Sequence, residues 1–183
     1  MESRLISVIE DQVSVHFTGK VNVLSHFNRQ FLGHLLFRQG VIVDVTFNGN
    51  FGTKALYHVF IQEYSLQSFE YVVEPEVVDE SLPDLGLRLP ELKDKLSEYL
   101  ELYQQSLKLR PPENVKIVID PEFIEDSLPV TPSEFEVLCA LTESHTPFDI
   151  YQHCPLLDHE ITMALVGLRK KNALKILATK NNP

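Results

Sequence analysis

Two runs of alternating side chains, joined by a three-residue turn, constrain the fold of this chain more than any other feature. The run "FLGHLLF" at 31–37 is followed by "RQG" and then by "VIVDVTF" at 41–47. Successive side chains of a strand point to opposite faces, so each run is expected to bury one face. The short turn predicts an antiparallel hairpin. The residues predicted to share the buried face of the second run are Val41, Val43, Val45 and Phe47.

The neighbouring segments complete one α+β module. Residues 3–12 can form a short amphipathic helix, and "KVNVL" at 20–24 adds a strand. From Gly52 the apolar period becomes helical, and "SFEYVV" at 68–73 supplies a last strand. The order α-β-β-β-α-β predicts a small antiparallel sheet with packed helices.

An acidic segment follows this module. Residues 70–126 hold fifteen acids and six bases, whereas residues 1–69 hold five of each. Residues 74–90 contain three prolines and are typical of a linker. The next stretch predicts a helix over 89–107, and we interpret it as docked on its own protein, although a homodimer through this helix stays open. Its apolar stripe comprises Leu89, Leu92, Leu96, Tyr99, Leu100, Tyr103 and Leu107.

The C-terminal part begins with a helix-start signature. Thr131 is an N-cap candidate, Pro132 occupies the first helical position, and Glu134 completes a capping box. Two further helices, "PFDIYQHC" and "DHEITMALVGLRKKN", precede the alternating run "ALKILAT". Three helices and a terminal strand predict a winged-helix-like domain. The predicted organisation is an α+β domain over 1–75, an acidic helical connector over 76–126 and a winged-helix-like domain over 127–183.

The segment "FNGNFGTK" contains glycines and a lysine but departs from a phosphate-binding loop. A Walker loop needs GxxxxGK[ST], whereas here Gly49 and Gly52 are too close together and Thr53 precedes Lys54. The residues instead indicate a type I′-like turn or a turn in the left-handed (αL) conformation at "FNGN", followed by a helix start at Gly52. No nucleotide or other cofactor is predicted.

The residues that could bind a metal or act in catalysis are scattered. The seven histidines lack paired ligand spacing, and Pro155 interrupts the chain between His153 and His159. Cys139 and Cys154 are expected to be reduced, buried thiols of a cytosolic protein. No apolar run is long enough to span a bilayer, which predicts a cytoplasmic protein without a membrane partner. The expectation is therefore no metal, no catalytic residue and no enzymatic activity.

A winged-helix tail raises DNA binding as the alternative function, and its charges argue against it. Asp158 and Glu160 open the helix that would read DNA, where they are expected to repel phosphates. The basic residues of the tail all come later, namely Arg169, Lys170, Lys171, Lys175 and Lys180. A transcriptional regulator that binds DNA remains the second hypothesis.

The stretch "LLFRQGVIVDVTFNGNFGTKALYHVF", followed by "QSFEYVV", resembles the PATAN domain family, also catalogued as DUF4388. The matching positions are Thr18, Gly19, Val21, Phe37, Gly40, Val41, Val43, Asp44, Gly52, Ala55, Leu56, Phe69 and Tyr71. The resemblance covers roughly residues 3–75. It implies an adaptor that binds other proteins in bacterial signalling, through a response regulator or a small Ras-like GTPase that controls motility or cell polarity. One branch of the family is associated with nucleotide exchange on such a GTPase.

The predicted partner surface lies on the hairpin and the glycine segment. Binding residues concentrate at loop tips, and an exposed aromatic residue such as Phe51 is a suitable anchor. Asp44 is expected to face away from the core because it alternates with buried valines. The partner-binding residues that we predict are Arg38, Gln39, Asp44, Asn48, Asn50 and Phe51.

Overall fold

Two compact units make up the chain, Met1–Leu100 and Glu101–Pro183. The computed structural model describes residues 3–65, 68–113, 115–125 and 128–177. The elements of the first unit are α1 (Arg4–Ser14), β1 (Gly19–Ser25), β2 (Phe31–Arg38), β3 (Val41–Phe47), β4 (Asn50–Phe51), α2 (Gly52–Tyr64), β5 (Phe69–Pro75) and the first part of α3 (Leu89–Leu107). Those of the second unit are the end of α3, β6 (Lys116–Ile119), α4 (Pro121–Glu125), α5 (Pro132–Glu143), α6 (Pro147–His153), α7 (Asp158–Lys170) and β7 (Leu174–Leu177).

A five-stranded antiparallel sheet forms the centre of the first unit. Its strand order is β4-β3-β2-β1-β5, so the last strand returns to pair with the first. The predicted α+β class with an antiparallel sheet is confirmed. The prediction missed β4, because two residues are too few to show an alternating pattern.

A β-bulge in β3 changes which side chains are buried. Leu36 pairs with Asp44 and Phe37 pairs with Ile42, so Val43 is an extra residue on its strand. A bulge breaks the strict alternation of faces. Ile42 and Val43 are consequently both buried, whereas Val41 is 42% exposed. The predicted buried face is therefore correct for three of its residues and wrong for Val41.

The core of the first unit lies between the sheet and its helices. Helix α2 packs on β3 and β4, and buried residues occupy most of its circumference. Such a helix must be covered on more than one side. Tyr99 of α3 stacks on Tyr57 of α2 with ring centroids 4.2 Å apart, and Leu92 and Leu96 beside it are buried. The first part of α3 therefore docks within the first unit, as the docked-helix interpretation predicted.

The carboxylate of Glu63 joins three elements of the first unit. It accepts hydrogen bonds from the Leu5 backbone N–H at 3.1 Å, from the Tyr71 hydroxyl at 3.1 Å and from the Ser3 hydroxyl. Burial, reinforced by Glu63, raises the pKa of Tyr71, so the phenol keeps its proton. Glu63 thus ties the start of α1 to α2 and β5.

The second unit encloses a separate core between α5, α6, α7 and the two-stranded antiparallel sheet β6-β7. The predicted capping box of α5 is confirmed, because the Thr131 hydroxyl accepts the Glu134 N–H at 3.2 Å and the Glu134 carboxylate accepts the Thr131 N–H at 2.7 Å. The predicted α6, α7 and terminal strand are present with ends that shift by a few residues. Helix α4 was not predicted, since five residues carry little periodicity.

Candidate functional site

One row of cross-strand neighbours crosses the sheet of the first unit on the face opposite the core. Phe51 pairs with Thr46, Thr46 with His34, His34 with Asn22, and Asn22 with Val72. Directly opposed residues of an antiparallel pair point to the same face. These five residues therefore form a continuous strip from β4 to β5, which we call the sheet row.

Two exposed phenylalanines lie on the face of the sheet that carries the sheet row. The Phe31 ring stacks on the His34 ring, with centroids 6.4 Å apart, and Phe31 is 57% exposed. The Thr46 hydroxyl lies 3.1 Å from Nδ1 of His34, and Phe51 beyond it is 70% exposed. Aromatic surface is thus present beside His34, from Phe31, and at the β4 end of the sheet row, from Phe51.

His34 occupies an environment that keeps its imidazole neutral. Partial burial lowers its pKa, and the nearby Lys20 ammonium lowers it further, while Asp44 and Glu76 act in the opposite direction. Lys20 itself pairs with Glu76 at 2.6 Å. Asp44 is half-buried on this same face, as expected from its alternation with buried valines. A neutral imidazole stacked on an exposed apolar ring is suited to a protein contact that excludes water.

The turn that carries the predicted partner surface has the expected geometry. Asn48 and Gly49 both have positive φ, 46° and 81°, and Phe47 pairs with Asn50 across a two-residue loop. This is the type I′ arrangement that the sequence predicts. Asn48 is exposed and Phe51 caps the start of α2.

Asn50 corrects the predicted surface. We expected it at an exposed loop tip, but it is 5% exposed, and its Nδ2 lies 3.3 Å from Nδ1 of His58 and 3.5 Å from the Phe47 carbonyl. The short strand β4 turns this side chain inward while its neighbour Phe51 points to the outer face. Asn50 therefore supports the turn from inside.

Arg38 and Gln39 lie away from the sheet row. Because Arg38 follows His34 by four residues along β2, it lies about 13 Å further along the strand. Its Nη1 donates to the carbonyls of Asp79, Glu80 and Leu82 at 3.1, 2.8 and 2.8 Å, so it holds the linker. The Gln39 N–H donates to the Thr18 hydroxyl at 2.9 Å.

Sequence reasoning missed the outward position of Phe31. The alternation of "FLGHLLF" groups Phe31 with Gly33 and Leu35 on the core side. In the structure Val23 pairs with Gly33 but Leu24 pairs with Phe31, so Leu32 is an extra residue and Phe31 turns to the outer face. A bulge of this kind depends on the partner strand and has no signature within its own run.

The basic residues of the C-terminal tail are not all available on one surface. Lys171 Nζ contacts Glu134 at 2.6 Å and the Pro129 carbonyl at 2.9 Å, and Lys175 pairs with Asp120 at 2.8 Å. The Glu134 carboxyl is buried, which raises its pKa, but hydrogen bonds from Lys171 and Thr131 outweigh this and lower it overall. Arg169 and Lys170 are exposed. Lys180 lies outside the described residues.

The acids at the start of α7, which we expect to repel phosphates, have partners inside the protein. Asp158 pairs with Arg110, and its side chain is 8% exposed. The Glu160 carboxylate accepts the Leu157 N–H at 2.8 Å. Both negative charges are therefore directed to protein partners, so they argue less strongly against DNA than the sequence suggested.

The thiols and possible metal ligands are distributed over both units. Cys154 is buried as predicted, but Cys139 is exposed because α5 buries the stripe of Glu134, Val137 and Leu141. Within the described ranges, no group of three or more His, Cys, Asp or Glu side chains could hold a metal ion. None of the helices in the part of the chain that the structure describes combines the length and apolar character needed to span a membrane.

Comparisons of the chain with protein-family models, with curated proteins and with solved structures returned no match. We therefore infer function from the geometry of the sheet row and of the second unit, together with the resemblance in the sequence.

Proposed function

We propose that this chain is a non-enzymatic adaptor that binds another protein in bacterial signalling. The observation that carries the proposal is a pair of exposed phenylalanines on one face of the sheet: Phe51 ends the sheet row, and Phe31 stacks on His34 within that row. Aromatic residues are enriched in protein interfaces and supply much of their binding energy. Full burial of one such ring contributes about 1.5–3 kcal/mol.

The resemblance to the PATAN family supports a more specific partner. It favours a response regulator or a small Ras-like GTPase system that controls motility or cell polarity, including promotion of nucleotide exchange. The PATAN-like domain would contribute the sheet row, and the winged-helix-like tail would contribute a second surface. The assignment of residues 1–75 to a PATAN-like domain and of residues 127–183 to a winged-helix-like domain is part of this proposal.

Replacing Phe51 with alanine is expected to weaken partner capture at least about tenfold, because the exposed ring would be buried in the interface. Stability should change by less than about 0.5 kcal/mol, since the 70% exposed ring contributes little to the core. The measurement is affinity capture from bacterial lysate with quantitative mass spectrometry, alongside a thermal melt.

Phe135→Ala is the matched control, because it removes the same ring from a 56% exposed position in the second unit. A partner lost with Phe51→Ala and kept with Phe135→Ala supports the sheet row. Identical capture by both variants, or a large drop in the melting temperature of Phe51→Ala, contradicts it.

The alternative function, DNA binding, depends on the exposed cations of α7. Phosphate contacts come from Lys and Arg side chains that are not neutralised elsewhere, and two of the tail bases are held by Glu134 and Asp120. We expect no retardation of duplex DNA at physiological salt in a gel-shift assay. A sequence-dependent complex that Arg169→Glu with Lys170→Glu abolishes would favour the regulator instead.

A further inference from the structure

A groove of about 600 Å³ lies within the second unit. Helix α7, the strands β6 and β7 and the turn after α3 form its walls. Its apolar lining includes Leu109, Pro112, Ile117, Leu165, Leu174 and Ile176. Leu109 and Ile176 remain 49% and 48% exposed, so this apolar surface is open to solvent.

The rim of the groove is basic. Lys108, Arg169 and Lys170 line it, all three are exposed, and none of them forms an ion pair with a residue that the structure describes. Arg110 also lines it but is already paired with Asp158. Of the described residues that line the groove, none carries a carboxylate. Three exposed cations thus surround one apolar groove in a chain whose net charge is -10.

We propose that this groove docks an acidic amphipathic segment of a partner protein. Apolar side chains of the segment would lie on Leu109 and Ile176, and its carboxylates would face Lys108, Arg169 and Lys170. An amphipathic segment laid in a hydrophobic groove is a recurrent recognition mode, and opposite charges at the rim set its orientation. The phosphates of duplex DNA would pair with the cations, but the apolar lining would stay exposed to water.

The charge pattern makes the interaction sensitive to salt. The rim cations are exposed to solvent, so their attraction for an acidic segment is largely screened beyond about 8 Å at physiological ionic strength. Association should therefore slow as salt rises, while the apolar contacts persist. A purely apolar ligand would show the opposite trend.

The test is selection of a displayed peptide library on the full chain, followed by affinity measurement with the selected fluorescent peptides. We expect enrichment of sequences that alternate Asp or Glu with large apolar residues at helical spacing. The rim variant, Lys108→Glu with Arg169→Glu and Lys170→Glu, should raise Kd by about thirtyfold or more. Ile176→Ser should also raise it, because that variant removes apolar lining without a change of charge.

The matched control carries Arg88→Glu, Lys95→Glu and Lys116→Glu. These three residues are exposed and do not line the groove. Like the three rim cations, they comprise one Arg and two Lys. The control should change Kd by less than about threefold. Peptides in which Asn replaces every Asp and Gln replaces every Glu should bind the unchanged chain as weakly as the acidic peptides bind the rim variant.

Four outcomes would overturn the proposal. The first two are the absence of acidic residues from the selected peptides and equal peptide affinity for the rim and control variants. The third is a duplex DNA complex that the unchanged chain forms and the rim variant loses, which would make the groove a DNA site. The fourth is a concentration-dependent dimer that the rim variant loses, which would make the groove an interface between copies of the chain. The Phe51→Ala variant should bind the selected peptides as the unchanged chain does. The groove proposal and the adaptor proposal can therefore fail separately.

Discussion

Replacing Arg110 with alanine is expected to lower the free energy of unfolding of the second unit by about 3 kcal/mol. The Asp158 side chain that it pairs with is only 8% exposed, so the change leaves a carboxylate without its counter-charge. Removal of one partner of a buried ion pair costs more than removal of the pair, because the remaining charge stays desolvated.

The surroundings of Arg110 increase this dependence. Its guanidinium lies 4.4 Å from the Tyr151 ring centroid and 5.2 Å from that of Tyr103. Burial disfavours its charge, but Asp158 more than compensates and raises the pKa of Arg110. The Asp158 carbonyl accepts the Thr162 hydroxyl at 2.8 Å, and Thr162 meets the Tyr151 hydroxyl at 2.7 Å. Arg110 therefore holds the charged centre of one connected network.

Hydrogen exchange of the α7 amides measures the effect within the second unit, and exchange of the β5 amides measures the effect of the control variant within the first unit. Arg29→Ala is the control, because Arg29 pairs with Glu70 at 2.9 Å but its side chain is 67% exposed, and such a pair contributes at most about 1 kcal/mol. Adding Asp158→Asn to the Arg110→Ala variant should restore part of the lost stability, because it removes the carboxylate charge that has lost its partner. An Arg110→Ala variant as stable as Arg29→Ala would show that the network does not support the unit.

Replacing Gly33 with alanine is expected to destabilise the first unit by about 3 kcal/mol. A Cβ atom built on Gly33 would overlap the Thr46 carbonyl oxygen and lie 2.7 Å from the Cα of Phe47. Both atoms belong to the backbone of β3, which cannot move without separating the central strands. Chemical denaturation followed by circular dichroism measures the loss.

Gly49→Ala provides the contrast in the same unit. Nothing lies within 4 Å of a Cβ built on Gly49, but its φ of 81° is in the left-handed region. This substitution should therefore cost only the conformational penalty of about 1–2 kcal/mol. Equal losses of stability for the two variants would show that β2 and β3 can move apart at Gly33 with little cost.

Local patterns determined most elements of both units. The alternation of 31–37 and 41–47, the Asn48-Gly49 turn and the Thr131–Glu134 capping box each lie within a few residues of sequence. Their physical causes are equally local, namely side-chain direction, positive φ and hydrogen bonds to the first helical turn. For this reason the sequence alone predicted the antiparallel sheet, the packed helices and the exposed position of Phe51.

The tertiary structure decided which residues meet across the sheet and which charges remain exposed. Phe31 reaches the sheet row because of a bulge set by pairing with β1, and Asn50 turns inward beside His58. The tail bases looked alike in sequence, yet Lys171 pairs with a carboxylate 37 residues away, whereas Lys170 stays at the groove rim. Bulges, ion pairs and grooves depend on contacts between segments that are distant in sequence, and no local period encodes them.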